Sequence, residues 1–128
     1  MSISKEERKV LLKAQQGELD AVKMYNALAK TVTEEKDAEV FRQLAAEEGR
    51  HAAVFKAMTG EVLKPRSTKA VLLPLLYRVI GRKKLYPMIA KGEYDAEKKY
   101  SSAAARFSEV ESVKNDEHRH GDMVMALL

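Results

Sequence analysis

The chain has 128 residues, of which 45% are hydrophobic and 33% charged, and its formal net charge is +4. This length suits one domain with its own core, residues 1–128, and the abundance of Ala, Glu, Lys and Leu favours helix over sheet. The absence of cysteine excludes disulfides, a thiolate nucleophile, an iron–sulfur cluster and a four-cysteine iron site, and is compatible with a reducing cytosol.

Two helices are predicted in the first half of the chain. Ser4 and Glu7 have the spacing of a capping box, which predicts a helix start, and β-branched residues at 31–33 predict its end. A second helix is predicted from about Glu34 to Gly60. In both helices, apolar or small residues recur in steps of three and four, which predicts one buried face per helix. The first face is Leu11, Ala14, Ala21, Tyr25, Leu28 and Val32 with Glu18 in register; the second is Val40, Leu44, Glu48, His51, Phe55 and Met58.

Residues 61–82 are predicted to connect the two halves. Pro65 and Ser67 indicate a loop, and 68–80 indicate a short apolar helix bent at Pro74. A connection of this length can cross a bundle, so the third helix is expected to run parallel to the second. The apolar run at 71–80 is far shorter than the roughly 20 residues that span a bilayer, and the charged N-terminus does not resemble a secretory signal. We interpret the basic clusters at 64–69 and 78–84 as solvated surface. We therefore expect a cytoplasmic protein with no membrane or nucleic-acid partner.

The second half predicts two more helices, from about 82 to 107 and from about 108 to the end of the sequence. Their inner faces are Leu85, Ile89, Glu93, Ala96, Tyr100, Ala103 and Phe107, then Val110, Val113, Glu117, His120, Val124 and Leu127. The expected fold is an all-α four-helix bundle with a long crossover connection that contains a short helix. Because the fourth helix is short, we expect a homodimer in which another subunit completes that end of the bundle.

An internal repeat relates the two halves. The segment QGELDAVKMYNALA at 16–29 returns as KGEYDAEKKYSSAA at 91–104, and EEGRH at 47–51 returns as DEHRH at 116–120. Each half thus supplies a Glu from one helix and a Glu-x-x-His pair from the next. This is the ligand set of a carboxylate-bridged two-metal centre in a four-helix bundle.

The chemistry follows from burial. An isolated carboxylate in a protein core costs several kcal/mol unless it is compensated. Four carboxylates on core-facing positions balance the charge of two divalent cations, and oxygen with imidazole donors suits iron, manganese or a mixed pair. We predict that Glu48 and Glu117 bridge two metals. The predicted terminal ligands are Glu18 and His51 for one metal, and Glu93 and His120 for the other.

Several neighbours have predicted roles around this centre. Tyr25 and Tyr100 follow Glu18 and Glu93 by seven residues, so each shares their face and can hydrogen-bond a ligand carboxylate. Glu47 and Asp116 precede the bridging residues. They either accept hydrogen bonds from the ligand histidines across the bundle or form solvated salt bridges with Arg50 and Arg119. By helical phase, His118 and Glu97 are expected to face solvent.

The pattern GE…Y, E-x-x-H, GE…Y, E-x-x-H resembles the ferritin-like superfamily, and most closely the rubrerythrin family, over nearly the whole chain. The resemblance implies a di-iron site with Glu18, Glu48, His51, Glu93, Glu117 and His120 as ligands. It also implies reduction of hydrogen peroxide, or oxidation of ferrous ion by peroxide or dioxygen, for which we take Tyr25 and Tyr100 as catalytic residues. Two features depart from the family pattern. Ala96 stands where many rubrerythrins have a further Glu, with Glu97 one residue on, and there is no rubredoxin tail, so a separate electron donor such as rubredoxin would be needed unless ferrous ion is itself the donor.

Three functional hypotheses follow. The first is a peroxidase or ferroxidase that acts in oxidative-stress defence or iron homeostasis. The second is a non-catalytic iron-binding module linked to storage. The third is a metal-free helical interaction domain.

Overall fold

The structure, a computed structural model, describes residues 2–128, so Met1 of the predicted domain 1–128 lies outside the described residues. It contains five helices, α1 (Lys5–Thr31), α2 (Glu35–Thr59), α3 (Thr68–Ile80), α4 (Arg82–Arg106) and α5 (Glu109–Met125), and no strand within the described range. The all-α, ferritin-like prediction is confirmed, including the short helix in the crossover connection.

The helix ends follow from local chemistry. The Glu7 N–H donates to Ser4 Oγ at 3.1 Å while the Ser4 N–H donates to Glu7 Oε1 at 2.9 Å, which forms the predicted capping box at the start of α1. Gly60 ends α2 in the left-handed region, with φ at 70°. Gly81, with φ at 79°, turns the chain directly from α3 into α4.

Contacts between helices establish the chain direction of each one. The guanidinium of Arg8 donates to the carbonyl of Thr59 at 2.6 Å, so α1 and α2 are antiparallel. Across α4 and α5, Tyr94 donates to Asp122 at 2.6 Å and Glu97 lies 3.1 Å from His118, which is again antiparallel. The pairs that join α2 to α5, described below, run antiparallel as well. Consequently α4 is parallel to α2, as the length of the connection predicted.

The crossover connection runs along α1 and is fastened at both ends by buried aspartates. Asp20 accepts the backbone N–H of Arg66 at 2.6 Å and its Nε at 2.8 Å. Asp37 accepts Nε and Nη2 of Arg82, both at 2.9 Å, together with the hydroxyl of Tyr86 at 2.6 Å. No helix within residues 2–128 combines the length and apolarity needed to cross a bilayer.

The core is divided into two apolar layers. One layer is built around Tyr25, Leu28, Phe41, Leu44, Leu85, Tyr86 and Val124. The other is built around Leu11, Phe55, Tyr100, Phe107, Val110 and Val113. On α1, α2, α4 and α5 the residues between the two layers are the predicted ligands, so the fold encloses a polar layer between two apolar ones.

Candidate metal centre

The polar layer consists of six side chains, one Glu each from α1 and α4 and a Glu-x-x-His pair each from α2 and α5. None is more than 6% exposed to solvent. They are Glu18, Glu48, His51, Glu93, Glu117 and His120. The structure therefore brings together in one buried layer all six residues that the repeat singled out.

Their donor atoms form two groups. Nδ1 of His51 lies 3.0 Å from Glu48 Oε1, 3.1 Å from Glu117 Oε1 and 3.4 Å from Glu18 Oε2. Nδ1 of His120 lies 3.2 Å from Glu48 Oε1, 3.5 Å from Glu117 Oε1 and 3.6 Å from Glu93 Oε2. Within each group all four ligand atoms lie within 4.8 Å of one another. The two groups share Glu48 and Glu117, the residues predicted as bridges.

The residues present fit a pair of metal ions. Among residues 2–128, six buried side-chain nitrogen or oxygen atoms have no hydrogen-bond partner, and each belongs to a different member of the layer: Glu18 Oε2, Glu48 Oε1, His51 Nδ1, Glu93 Oε2, Glu117 Oε1 and His120 Nδ1. A buried polar atom without a partner costs about 1–3 kcal/mol. Six such atoms that converge without aligning for hydrogen bonds are the arrangement that cations compensate.

The outer nitrogens of the histidines are held across the bundle. Nε2 of His51 lies 2.8 Å from Asp116 Oδ2, and Nε2 of His120 lies 2.9 Å from Glu47 Oε1. These contacts orient each Nδ1 toward the shared carboxylates. Arg119 binds both carboxylates, Asp116 at 3.1 Å and Glu47 through a short contact, whereas Arg50 forms no ion pair among residues 2–128. Glu47 and Asp116 thus combine the two predicted alternatives, because each contacts a ligand histidine and each also pairs with an arginine. That arginine is Arg119 in both cases.

The two tyrosines bond to the layer in a crossed arrangement. The hydroxyl of Tyr100 donates to Glu18 Oε1 at 2.8 Å, and the hydroxyl of Tyr25 donates to Glu93 Oε1. Each tyrosine therefore holds the glutamate of the other half, so the two halves are linked through their ligands. Burial, reinforced by the nearby carboxylates, raises the pKa of both phenols, so both keep their protons at neutral pH.

The sequence matches the profile of the rubrerythrin family over residues 9–128. The chain belongs to the rubrerythrin family. No curated protein and no solved structure gives a significant match. This family is the ferritin-like di-iron family, and in this rubrerythrin-family chain the buried carboxylate and histidine groups could hold metal.

The metal-free layer of this rubrerythrin-family chain retains protons. Burial and the charge of Glu48 raise the pKa of Glu18 to about 8, and burial raises that of Glu117 to about 12. Burial alone would lower the pKa of His120, but the nearby carboxylates of Glu48 and Glu93 raise it to about 10. Metal binding needs neutral imidazole and ionised carboxylate, so bound cations must displace these protons.

We expect the metal affinity of the protein to rise with pH between 6 and 8. A group whose pKa in the metal-free protein lies above the working pH must lose its proton to bind, so each displaced proton changes the affinity about tenfold per pH unit. Calorimetric titration with ferrous ion under anaerobic conditions, in buffers of different ionisation enthalpy, counts the released protons. An affinity that does not change across this pH range would contradict the described protonation of the layer.

Asp116→Ala is expected to weaken metal binding without removing a ligand. His51 would lose the acceptor that orients its ring, and changes of this kind typically lower metal affinity by about 10–100-fold. Competition with a coloured chelator measures the effect. Glu111→Ala is the matched control on α5, because Glu111 is exposed and forms only a 3.8 Å contact with Lys114. Equal affinities of the two variants would show that Asp116 does not support the site.

Glu97 and His118 lie outside the layer. Nδ1 of His118 is 3.1 Å from Glu97 Oε1, and the His118 side chain is 54% exposed, as its helical phase predicted. Position 96, where many rubrerythrins have a further Glu, is a half-buried alanine. The carboxylate of Glu97 therefore pairs with a surface histidine rather than with the ligand layer.

Proposed function

We propose that the chain is a di-iron oxidoreductase that reduces hydrogen peroxide, or oxidises ferrous ion with peroxide or dioxygen, with Glu18, Glu48, His51, Glu93, Glu117 and His120 as its metal ligands. The observation that carries the proposal is the set of six buried, unpartnered donor atoms, divided into two groups that share Glu48 and Glu117. Membership of the rubrerythrin family favours iron, while the same donors also accept manganese or a mixed pair.

The protein's own residues would control charge, protons and water at this site. Bound iron would supply the two electrons that cleave the O–O bond of peroxide. Tyr25 and Tyr100 each hold a proton at a phenolic oxygen and bond it to a terminal carboxylate, so they are placed to fix that carboxylate and to supply a hydrogen-bond donor. The apolar layers on both sides of the site limit the entry of water and the escape of reactive products.

Stopped-flow mixing of the reduced, iron-loaded protein with hydrogen peroxide tests this function. We expect peroxide to oxidise the ferrous site much faster than dioxygen does. Tyr25→Phe is expected to slow the peroxide reaction at least tenfold while the iron content stays within about twofold, because only the phenolic donor is removed. Tyr94→Phe is the control, since its hydroxyl bonds only to the exposed Asp122. A rate that the Tyr25 variant leaves unchanged would remove this tyrosine from the chemistry.

A non-catalytic iron-binding module is the second candidate, and the position of Glu97 favours it. The further Glu of many rubrerythrins has no counterpart at position 96, because Ala96 has no donor atom, and the neighbouring Glu97 pairs with His118 instead of with the ligand layer. In the stopped-flow experiment this alternative predicts sluggish oxidation at similar rates with peroxide and with dioxygen.

The homodimer, the cytoplasmic location and a separate electron donor such as rubredoxin stay predictions. Sedimentation of the iron-loaded protein tests the first of these.

A further inference from the structure

The outer face of α3 is apolar and uncovered. Leu73, Leu76, Tyr77 and Ile80 pack α3 against the core, yet no residue of this helix is fully buried. Its opposite face carries large side chains with high exposed fractions: Val71 at 70%, Leu72 at 45%, Leu75 at 54% and Val79 at 71%. Their spacing places them along one side of the helix. The result is a continuous apolar strip on the outside of the bundle.

The segment that carries this strip contains basic residues and no acidic ones. Between Glu61 and Glu93 there is no acidic residue, while eight of the 23 basic residues lie there. The remainder of the chain has 15 basic and 19 acidic residues, so the segment reverses the charge of the protein around it. Three of the eight basic residues pair with aspartates elsewhere, namely Arg66, Arg82 and Lys91. Five have no carboxylate within ion-pair distance among residues 2–128: Lys64, Lys69, Arg78, Lys83 and Lys84.

These five cations lie within or next to the apolar strip along the chain. Lys64 and Lys69 lie before it or at its start, and Lys83 and Lys84 follow α3 at the beginning of α4. Arg78 lies on α3 itself, seven residues after Val71 and therefore nearly in line with it. A long basic side chain beside an apolar strip can keep its charge in a polar layer while its stem covers apolar surface.

We propose that α3 is a docking surface for anionic lipid, on which the protein lies with the helix parallel to the membrane plane. Val71, Leu72, Leu75 and Val79 would enter the boundary between headgroups and acyl chains, and the five unpaired cations would contact the anionic headgroups. This is peripheral binding through one face, and it replaces the expectation from the sequence that the basic clusters are only solvated and that the protein has no membrane partner. No helix within residues 2–128 is long and apolar enough to span a bilayer, so the proposed contact is with the membrane surface alone.

The charge pattern decides between the possible occupants of this surface. A two-fold contact between copies through α3 would place the unpaired cations of both chains beside one another, which is unfavourable. Nucleic acid would match the charge but would leave the aliphatic side chains without a partner. An anionic bilayer supplies negative headgroups for the cations and, directly beneath them, an apolar region for the aliphatic side chains. The inference is independent of the proposed function, because none of its residues belongs to the metal site.

Flotation of the full iron-loaded chain with vesicles tests the proposal. Vesicles of phosphatidylcholine alone are compared with vesicles that contain about 30% phosphatidylglycerol. We expect flotation only with the anionic vesicles, and less of it as salt is raised. The double variant Val71→Ser, Leu75→Ser should lower the partition coefficient at least ~20-fold. Lys69→Glu with Arg78→Glu should lower it at least ~25-fold, because each of the two basic residues near an anionic surface contributes about fivefold.

Matched controls lie on α1. Val10→Ser replaces an apolar side chain that is 52% exposed, and Lys9→Glu with Lys13→Glu makes the same change in net charge at exposed positions. Both controls should float like the parent, and circular dichroism should show all variants folded. The proposal is overturned by absence of flotation, by equal flotation with neutral vesicles, or by α3 variants that bind like the parent. It is also overturned if Val71→Ser with Leu75→Ser abolishes a concentration-dependent dimer, because the strip would then be a subunit interface.

Discussion

Glu48→Ala and Glu117→Ala are each expected to lower the bound iron at least ~10-fold. Both carboxylates belong to both groups of donor atoms, so the loss of either one removes a ligand from two metal positions at once. The loss also leaves fewer carboxylate charges beside His51 and His120 to balance a bound cation. Metal analysis after reconstitution with ferrous ion, at matched protein concentration, gives the result directly.

Glu39→Ala is the matched control for these two variants. Glu39 is exposed and lies on α2, the helix that carries Glu48. Glu39→Ala therefore removes the same charge and the same side-chain atoms from the same helix as Glu48→Ala. Its iron content should equal that of the parent. Retention of full iron content by both Glu48→Ala and Glu117→Ala would exclude these residues as bridges, whereas loss in all three variants would indicate a non-specific effect of charge.

Chelation is expected to lower the free energy of unfolding by about 4 kcal/mol for each of the two metal ions removed, measured against protein with ferrous ion at about 1,000 times the Kd of each site. For a chain of this length the corresponding decrease in Tm is roughly 15 °C per ion. Without cations the layer keeps six unpartnered buried atoms, and burial opposes the ionised form of Glu18 and Glu117. Anaerobic urea denaturation with and without chelator measures the difference.

Glu117→Leu is expected to raise the free energy of unfolding of the metal-free protein. Replacing a buried ion pair by apolar side chains of similar volume is often stabilising by about 1–4 kcal/mol. We expect an effect of this sign from Glu117→Leu alone because burial raises the pKa of Glu117 to about 12, so the substitution removes a protonated carboxyl and no charge. The variant should therefore be more stable than the chelated parent and gain nothing from ferrous ion. Glu111→Leu, at an exposed position on the same helix, should change the stability by less than about 0.5 kcal/mol. A chelated Glu117→Leu protein that is less stable than the chelated parent would show that the contacts of this carboxylate outweigh the cost of its burial.

The ligand layer was predictable from the sequence because it is repeated. A single Glu on a helix face has no distinguishing feature, but Glu18 and Glu93 recur within matching segments, and each Glu-x-x-His pair repeats on an apolar stripe. Helical phase then placed all six side chains on inner faces, and the length of 61–82 gave the crossing direction of the bundle.

The asymmetric contacts were not predictable from that repeat. Arg50 and Arg119 occupy equivalent positions, yet only Arg119 reaches the carboxylates behind both histidines. Asp20 and Asp95 are equivalent as well, but Asp20 is buried against Arg66 of the connection while Asp95 pairs on the surface with Lys91. The difference between Asp20 and Asp95 arises because Arg66 belongs to the connection, which packs beside α1 and has no counterpart among residues 82–128. Nothing in the local sequence of either half records that packing.

Anomalous scattering from a crystal of the iron-reconstituted protein, measured at the iron absorption edge, would show whether metal ions occupy the ligand layer. Two peaks about 3.5–4 Å apart are expected, as in two-metal sites. One peak should lie within reach of Glu18 and His51, the other within reach of Glu93 and His120, with Glu48 and Glu117 touching both. A layer that shows no peak, or iron found only on the surface of the bundle, would contradict the claim that metal ions compensate these buried carboxylates.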